Sequence, residues 1–165
     1  LYLVKRFRVL FDHSYDPQGI GFQQTRSILA LGSGQLFGQG YLHGNMTQSE
    51  HASTLPARHT DFIFAVAGEE TGFVGCCVLV VLEFLIALEC IMVGKNARDV
   101  SGTLICCGMA ALIAFQSFIN ICVATGLMPN TGLPLPFVSY GLTSLISLYI
   151  GIGMVLNIGL QVRKY

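Results

Sequence analysis

The sequence LPARHTDFIF, residues 55–64, places a single aspartate between a polar cluster and an apolar run. Asp61 follows Arg58, His59 and Thr60, so its carboxyl group stands beside a cation, an imidazole and a hydroxyl. A carboxylate in such a setting can take a proton from a substrate hydroxyl as a general base. A structural interpretation stays open, because the pattern also predicts a short helix over residues 61–70, with Thr60 as its cap and Asp61 in its first turn.

Paired acid–base chemistry would need a second carboxylate, and Glu69 and Glu70 are the next acidic residues after Asp61. On a continuous helix they would lie about 12 to 13.5 Å from Asp61 along the axis. Paired carboxylates in glycoside hydrolases are only about 5 to 9.5 Å apart. The spacing therefore favours a carboxylate that works alone, and we expect Glu69 and Glu70 at the membrane interface or bonded to loop groups.

The cysteines and histidines do not follow a metal-binding pattern. All six cysteines fall inside apolar runs without a Cys-x-x-Cys pair, which predicts small buried side chains rather than ligands. The four histidines all precede Thr60 and have no metal-ligand spacing. The residue pattern therefore predicts no metal site.

The composition predicts an all-α fold, a polytopic membrane helix bundle. Of 165 residues, 53% are hydrophobic and only 11% are charged, whereas a soluble domain carries roughly 25% charged residues. Three apolar runs, at about 72–93, 103–124 and 138–160, reach the roughly 20 residues that a membrane-spanning helix needs. The formal net charge is zero, so no global field would attract nucleic acid, and none is expected as a partner.

The basic residues predict the orientation of these spans. Lys95 and Arg98 lie between the first two runs, and Arg163 and Lys164 follow the third. The Pro/Gly-rich connection over residues 125–137 contains neither lysine nor arginine. Because basic residues in short loops stay on the cytoplasmic side, we expect a cytoplasmic C-terminus and an extracytoplasmic connection between the second and third spans.

Two segments follow from this orientation. Residues 1–71 are expected to form an extracytoplasmic loop with short interfacial helices, and residues 72–165 a segment of three transmembrane helices. Five glycines over residues 32–44 predict a flexible or tightly folded stretch within the first segment. The chain begins with Leu1 and lacks a signal-peptide pattern, so we expect it to be a piece of a longer protein.

Two further places leave structural and functional interpretations open. Glu83 lies inside the first predicted span, where a charged side chain costs at least about 2.5 kcal/mol, so it should contact protein or line a functional cavity. In the stretch NTGLPLPFVSYG, residues 130–141, the prolines restrict the backbone and could simply shape a connection. Alternatively, Ser139 and Tyr140 offer hydroxyl groups at the mouth of a substrate cavity.

Several long motifs resemble the shape, elongation, division and sporulation (SEDS) family, which RodA and FtsW represent. They are LPARHTDFIFAVAGEETGFVG at 55–75, TGLMPNTGLPLPFVSYG at 125–141, DPQGIGFQQ at 16–24 and GSGQLFGQG at 32–40. The resemblance covers essentially the whole chain and is closer to the RodA branch. Departures from the family pattern are Ala57, Thr71, Asn130 and Leu142, and none removes the aspartate.

The resemblance implies an integral membrane protein of about ten helices in the bacterial plasma membrane. This chain would hold the last three helices and the large extracellular loop before them. The implied activity is polymerisation of lipid II into peptidoglycan glycan strands, with a class B penicillin-binding protein as partner. The family aspartate most strongly tied to activity corresponds to Asp61.

A general-base role for Asp61 follows as a hypothesis. Asp61 would take the proton of the acceptor 4-hydroxyl, while Arg58 or a divalent cation, Mg²⁺ or Mn²⁺, neutralises the pyrophosphate leaving group. The residues expected to contact substrate are Arg58, His59, Thr60, Glu70, Ser139 and Tyr140. This piece alone is expected to be inactive.

Two other functions stay open. Glu83 and a glycine-rich bundle would also suit a flippase that moves the lipid II headgroup across the bilayer. A non-catalytic scaffold for the cell-wall machinery is the third alternative.

Overall fold

The computed structural model describes residues 20–41, 43–44 and 60–161, and the side chains of Phe22 onward. Within these ranges the chain forms four helices and no β-strand: α1 (Ile20–Ser33), α2 (Ile63–Lys95), α3 (Val100–Ala124) and α4 (Leu142–Leu160). The predicted all-α fold is confirmed. The last three helices are long and apolar enough to cross a membrane, as expected of a multi-pass membrane protein.

The core of the bundle lies where α2, α3 and α4 meet. It is built largely from small or medium side chains, namely Ala87, Cys90, Cys106, Ala110, Ile113, Leu148 and Val155. Small residues allow helix backbones to approach closely, which is how helices pack when lipid removes the hydrophobic drive between them. Large apolar side chains point outward instead, such as Phe84, Phe115 and Leu156. The bundle thus presents an apolar surface suited to lipid or to other membrane helices.

The start of α2 differs from the predicted short helix over residues 61–70. The helix begins at Ile63, and its N-cap is Phe62, whose side chain makes no cap hydrogen bond. The prediction that Thr60 caps the helix and that Asp61 lies in its first turn is therefore wrong. Phe62 sets the start by packing, because its ring is fully buried in a cluster with Ala30 and other apolar side chains. Thr60 and Asp61 instead form a turn before the helix.

A kink at Gly72 divides α2 into a short first segment and a long span. Gly72 has φ of 70°, outside the helical region, so the backbone hydrogen bonds on either side of it cannot all be made within the helix. The segment over residues 34–40 completes them. The N–H of Phe73 donates to the Gln35 carbonyl at 2.9 Å, and the Glu69 carbonyl accepts from the N–H of Gln39 at 2.9 Å.

These backbone hydrogen bonds between the two segments explain why glycines are frequent here. The stretch is tightly folded over residues 34–40. Gly38 has φ of 78°, and a Cβ there would run into the Glu70 carbonyl and the Gly72 backbone. The two backbones can therefore approach only because both positions lack a side chain. The segment after α1 thereby holds the first part of α2 in place.

Helix α1 also completes the end of α3. The last carbonyls of a helix have no partner within it. Ser27 donates its hydroxyl to the Ala124 carbonyl at 2.8 Å, and the Gln24 amide donates to the Met128 carbonyl at 2.8 Å. Both side chains are buried. Two polar residues of α1 thus fix the place where α3 ends and the following loop begins.

We predict that Gly38→Ala destabilises the protein. Positive φ costs a non-glycine residue about 1–2 kcal/mol, and the Cβ contacts add to this. At roughly 2–4 °C per kcal/mol, the thermal midpoint of the purified protein in detergent should fall by several degrees. Gly32→Ala is the matched control, since a Cβ there meets nothing within 4 Å. Equal midpoints for the two variants would contradict the close backbone contact of Gly38 with the kink in α2.

Candidate functional site

Asp61 lies at the end of the bundle where α2 begins, α3 ends and α4 begins, called here the Asp61 end. The residue is half-buried in the turn before α2. Its carboxylate faces the loop that joins α3 to α4, residues 125–141, because a Cβ built on Gly132 would lie 3.8 Å from Asp61 Oδ2. The carboxylate therefore borders a loop position that has no side chain to cover it.

Asn120 of α3 holds the backbone of Asp61. Its Nδ2 donates to the Asp61 carbonyl at 3.0 Å and to the Leu133 carbonyl at 2.7 Å. Both amide hydrogens are thus used. The opposite amide orientation would place Oδ1 against two carbonyl oxygens, so the hydrogen-bond partners settle which way the amide points. The side chain is only 1% exposed.

Ser139 holds the neighbouring carbonyl from the other side. Its hydroxyl donates to the Thr60 carbonyl at 2.7 Å and accepts from the N–H of Leu135 at 2.7 Å. The side chain is 2% exposed. Consecutive carbonyls, those of Thr60 and Asp61, are therefore bound by two different elements, the α3–α4 loop and α3 itself.

The α3–α4 loop has its own internal supports. Gln116, one turn before Asn120 on α3, donates its amide to the Pro134 carbonyl at 3.0 Å. The Asn130 side chain accepts from the N–H of Gly132 at 2.9 Å, a short turn that a valine at this position could not make. The N–H of Ser139 donates to the Leu135 carbonyl at 3.0 Å. These bonds give the loop that faces Asp61 a defined shape.

The other predicted site residues are distributed unevenly. Tyr140 is 77% exposed and follows the buried Ser139, so its hydroxyl can reach a ligand whereas that of Ser139 is engaged within the chain. Thr60 is half-buried beside Asp61. Glu70 is half-buried on the first segment of α2, and its carbonyl accepts from the N–H of Gly40 at 3.1 Å. Arg58 and His59 lie outside the described residues.

Sequence reasoning missed Asn120 and Gln116. Both stand in the apolar run that predicts the second span. A usable signal exists, because amide side chains within a membrane helix commonly bond to other elements. What they bond to could not be read from spacing, since the partners are backbone carbonyls 13 to 59 residues away for Asn120.

Glu83 occupies a separate position within the α2 span. It is 7% exposed, and Ser117 of α3 lies in hydrogen-bond distance, with 3.4 Å between the hydroxyl and Oε2. A cavity of about 230 Å³ adjoins the pair and is otherwise lined by apolar side chains: Val80, Phe84, Ala87, Ala114, Phe118 and Ile121. This setting favours the structural contact between helices over a polar path for a headgroup.

Metal binding receives no support from clusters of side chains in the part of the chain that the structure describes. Among those residues, no group of three or more His, Cys, Asp or Glu side chains is placed to hold an ion. Asp61 would be a single carboxylate ligand there. Any cation at the Asp61 end would need further oxygen ligands from substrate or from other residues.

The fold and this site define a multi-pass membrane protein with a half-buried aspartate whose backbone is held at the end of the helix bundle. A model of the FtsW/RodA/SpoVE family, described as cell cycle protein, matches residues 1–164. The chain belongs to this family. The resemblance to the SEDS family is therefore confirmed.

Two named relatives and one solved structure give the extent of the similarity. The chain is 40% identical to peptidoglycan glycosyltransferase MrdB of Escherichia coli K12, over 95% of the chain and 42% of that protein. It is 39% identical to a probable peptidoglycan glycosyltransferase FtsW of Trichlorobacter lovleyi, over 95% of the chain and 40% of that protein. These nearly equal identities do not separate the branches of the family.

A chain in a solved structure has the same fold. That structure describes the structural coordination of polymerization and crosslinking by a peptidoglycan synthase complex. The TM-score is 0.73 with 31% sequence identity, and the match covers 99% of this chain and 43% of that chain. This chain thus spans about two fifths of the length of the proteins it matches.

We predict that Ser139→Ala lowers stability. It removes the acceptor of the buried Leu135 N–H and the donor to the Thr60 carbonyl, and a buried group that loses its partner costs about 1–3 kcal/mol. The thermal midpoint of the purified protein should fall accordingly. Ser147→Ala is the matched control, because Ser147 is exposed and bonds only carbonyls of its own helix. A midpoint unchanged by Ser139→Ala would show that the two bonds do not stabilise the loop.

Proposed function

We propose that the chain is part of a longer peptidoglycan glycosyltransferase of the bacterial plasma membrane, one that polymerises lipid II into glycan strands. The observation that carries the proposal is the placement of Asp61. Its backbone carbonyl is held by Asn120, while its half-buried carboxylate faces a loop position without a side chain. The names of the relatives support the reaction class.

Asp61 acts as the general base. The 4-hydroxyl oxygen of the acceptor sugar attacks the anomeric carbon of the donor, and its proton passes to the Asp61 carboxylate. As the new glycosidic bond forms, the bond between the anomeric carbon and the pyrophosphate oxygen breaks. The lipid-linked pyrophosphate leaves as an anion. Because this anion is a far weaker base than an alkoxide, no second carboxyl group is needed to protonate it.

The leaving group needs positive charge rather than a proton. Arg58 precedes Asp61 by three residues and is proposed to face the pyrophosphate. A divalent cation, Mg²⁺ or Mn²⁺, would enter bound to pyrophosphate oxygens, the ligands that Mg²⁺ prefers at phosphate sites.

The remaining predicted contacts fall into two groups. Tyr140 is proposed to contact the sugar through its exposed hydroxyl, and His59, Thr60 and Glu70 remain proposed substrate contacts. The geometry of Ser139 favours support of the Thr60 carbonyl over contact with substrate.

Orientation and partner complete the proposal. The Asp61 end is proposed to face the cell exterior, where lipid II is consumed, and the C-terminus the cytoplasm. A class B penicillin-binding protein is the proposed partner, in keeping with the peptidoglycan synthase complex that contains the structural neighbour.

Substitution of Asp61 tests the reaction directly. We expect Asp61→Asn to lower lipid II polymerisation at least about 100-fold, because a general base contributes roughly 10²–10⁴-fold. Glycan strands are measured on gels with the purified full-length protein and its partner in detergent. Asp99→Asn is the matched control: Asp99 is exposed, lies before α3 at the opposite end and makes no side-chain cap bond. Near-normal turnover by Asp61→Asn would remove Asp61 from catalysis.

The same assay separates the alternative functions. Detergent micelles do not separate two aqueous compartments, so glycan strands formed there cannot result from translocation of lipid II. Headgroup movement in liposomes without polymer would favour a flippase. Partner binding without either activity would favour a scaffold.

Labelling tests the orientation. With the native cysteines replaced, we expect a membrane-impermeant maleimide added to spheroplasts to modify Tyr140→Cys, which stands at the exposed Asp61 end. Asn96→Cys, in the exposed α2–α3 connection at the other end, should react only after the membrane is opened. The reverse pattern would place Asp61 in the cytoplasm and overturn the proposed site of lipid II consumption.

A further inference from the structure

Asn120 is a costly residue for its position. It lies within an apolar helix and is 1% exposed, and its Oδ1 has no hydrogen-bond partner among the described residues. A buried polar atom without a partner costs about 1–3 kcal/mol. A leucine would avoid that cost, but it would leave the carbonyls of Asp61 and Leu133 without this donor. The amide therefore contributes through its two donated hydrogens.

The two hydrogens tie together both sides of the candidate site. One goes to the carbonyl of Asp61 and the other to the carbonyl of Leu133. Leu133 follows Gly132, the residue that faces the Asp61 carboxylate. A single side chain thus sets the distance between the backbone that carries the carboxylate and the loop opposite it.

The range of positions open to the carboxylate is limited once its backbone is held. The aspartate side chain has two rotatable torsions, so its reach is set by the position of its Cα. The Thr60 carbonyl, immediately before it, is held by Ser139. Because a misplacement of about 1 Å can cost on the order of 10²-fold in rate, the backbone position at Asp61 matters for proton transfer.

We propose that Asn120 is a positioning residue for the reaction: its side-chain amide fixes the Asp61 carboxylate relative to the α3–α4 loop. This inference rests on the proposed function. Asn120 does not touch the substrate and acts only through Asp61 and Leu133. Its loss should therefore lower kcat for lipid II polymerisation and leave KM nearly unchanged.

Gln116 provides a comparison on the same helix, although it is half-buried and makes one loop donation where Asn120 makes two hydrogen bonds. It is one turn away on the same helix and also donates an amide to a loop carbonyl, that of Pro134 at 3.0 Å. Its amide donates to the Pro134 carbonyl and not to the Asp61 backbone. If the amides served only to anchor the loop, Asn120→Leu and Gln116→Leu would have the same effect on kcat.

The experiment compares these two variants in the full-length protein with its partner. We expect Asn120→Leu to lower kcat roughly 10- to 100-fold with little change in KM. We expect Gln116→Leu to lower kcat at least about fivefold less than Asn120→Leu does, since it leaves the Asp61 backbone bond intact. Thermal midpoints are measured for both. Equal kcat values for the two variants, or a loss by Asn120→Leu that lies in KM alone, would overturn the proposal.

A second variant covers a failure of Asn120→Leu to fold. Asn120→Asp keeps the side-chain volume but loses at least one of the two donations, because a carboxyl group has at most one hydrogen to give. It should also lower kcat, and wild-type kcat would overturn the proposal. Failure of the two ideas is distinguishable. Absence of glycan strands from the wild type rejects the proposed function, and normal turnover by Asp61→Asn rejects Asp61 as the general base. An inactive Asp61→Asn with normal Asn120 variants rejects only the positioning role.

Discussion

Hydrogen bonding of backbone groups at the places where helices start, break or end is the constraint on which this structure depends. A buried N–H or C=O without a partner costs about 1–3 kcal/mol. The chain meets this requirement with side chains and loops from distant segments. Ser27 of α1 serves the end of α3, and the glycine-dense segment serves the kink in α2.

The turn at Thr60 and Asp61 belongs to the same pattern. These residues precede α2, so their carbonyls lie outside its hydrogen-bond ladder and need partners elsewhere. Asn120 and Ser139 provide them from α3 and from the α3–α4 loop. The bonds that satisfy the backbone also decide where the aspartate carboxylate stands. Fold stability and placement of the Asp61 carboxylate are thus two results of one set of contacts.

The division of labour between polar residues follows from burial. Asn120 and Ser139 are almost completely enclosed and use their hydrogen-bonding capacity on the backbone, whereas Asp61 is half-buried and Tyr140 is exposed. Groups that position others lie inside, and groups available to a ligand lie at the edge. Glu83 fits neither set. Its contact with Ser117 joins α2 to α3 within the apolar part of the bundle, away from this end.

The helical fold and its apolar spans could be predicted from the sequence because hydrophobic run length is a local property of the chain. The motif around Asp61 likewise indicated the family and the candidate carboxylate, because such a motif is a run of consecutive residues. The helix start at Ile63 could not be predicted, because burial of Phe62 against α1 outweighs the capping preference of Thr60. The hydrogen-bond partners of Asn120 and Ser139 could not be predicted either, because they are carbonyls up to 79 residues away. Local sequence therefore determined which helices form and which aspartate is the candidate general base. Only tertiary packing decided where that residue is held, because hydrogen bonds between distant segments leave no periodic pattern in the sequence.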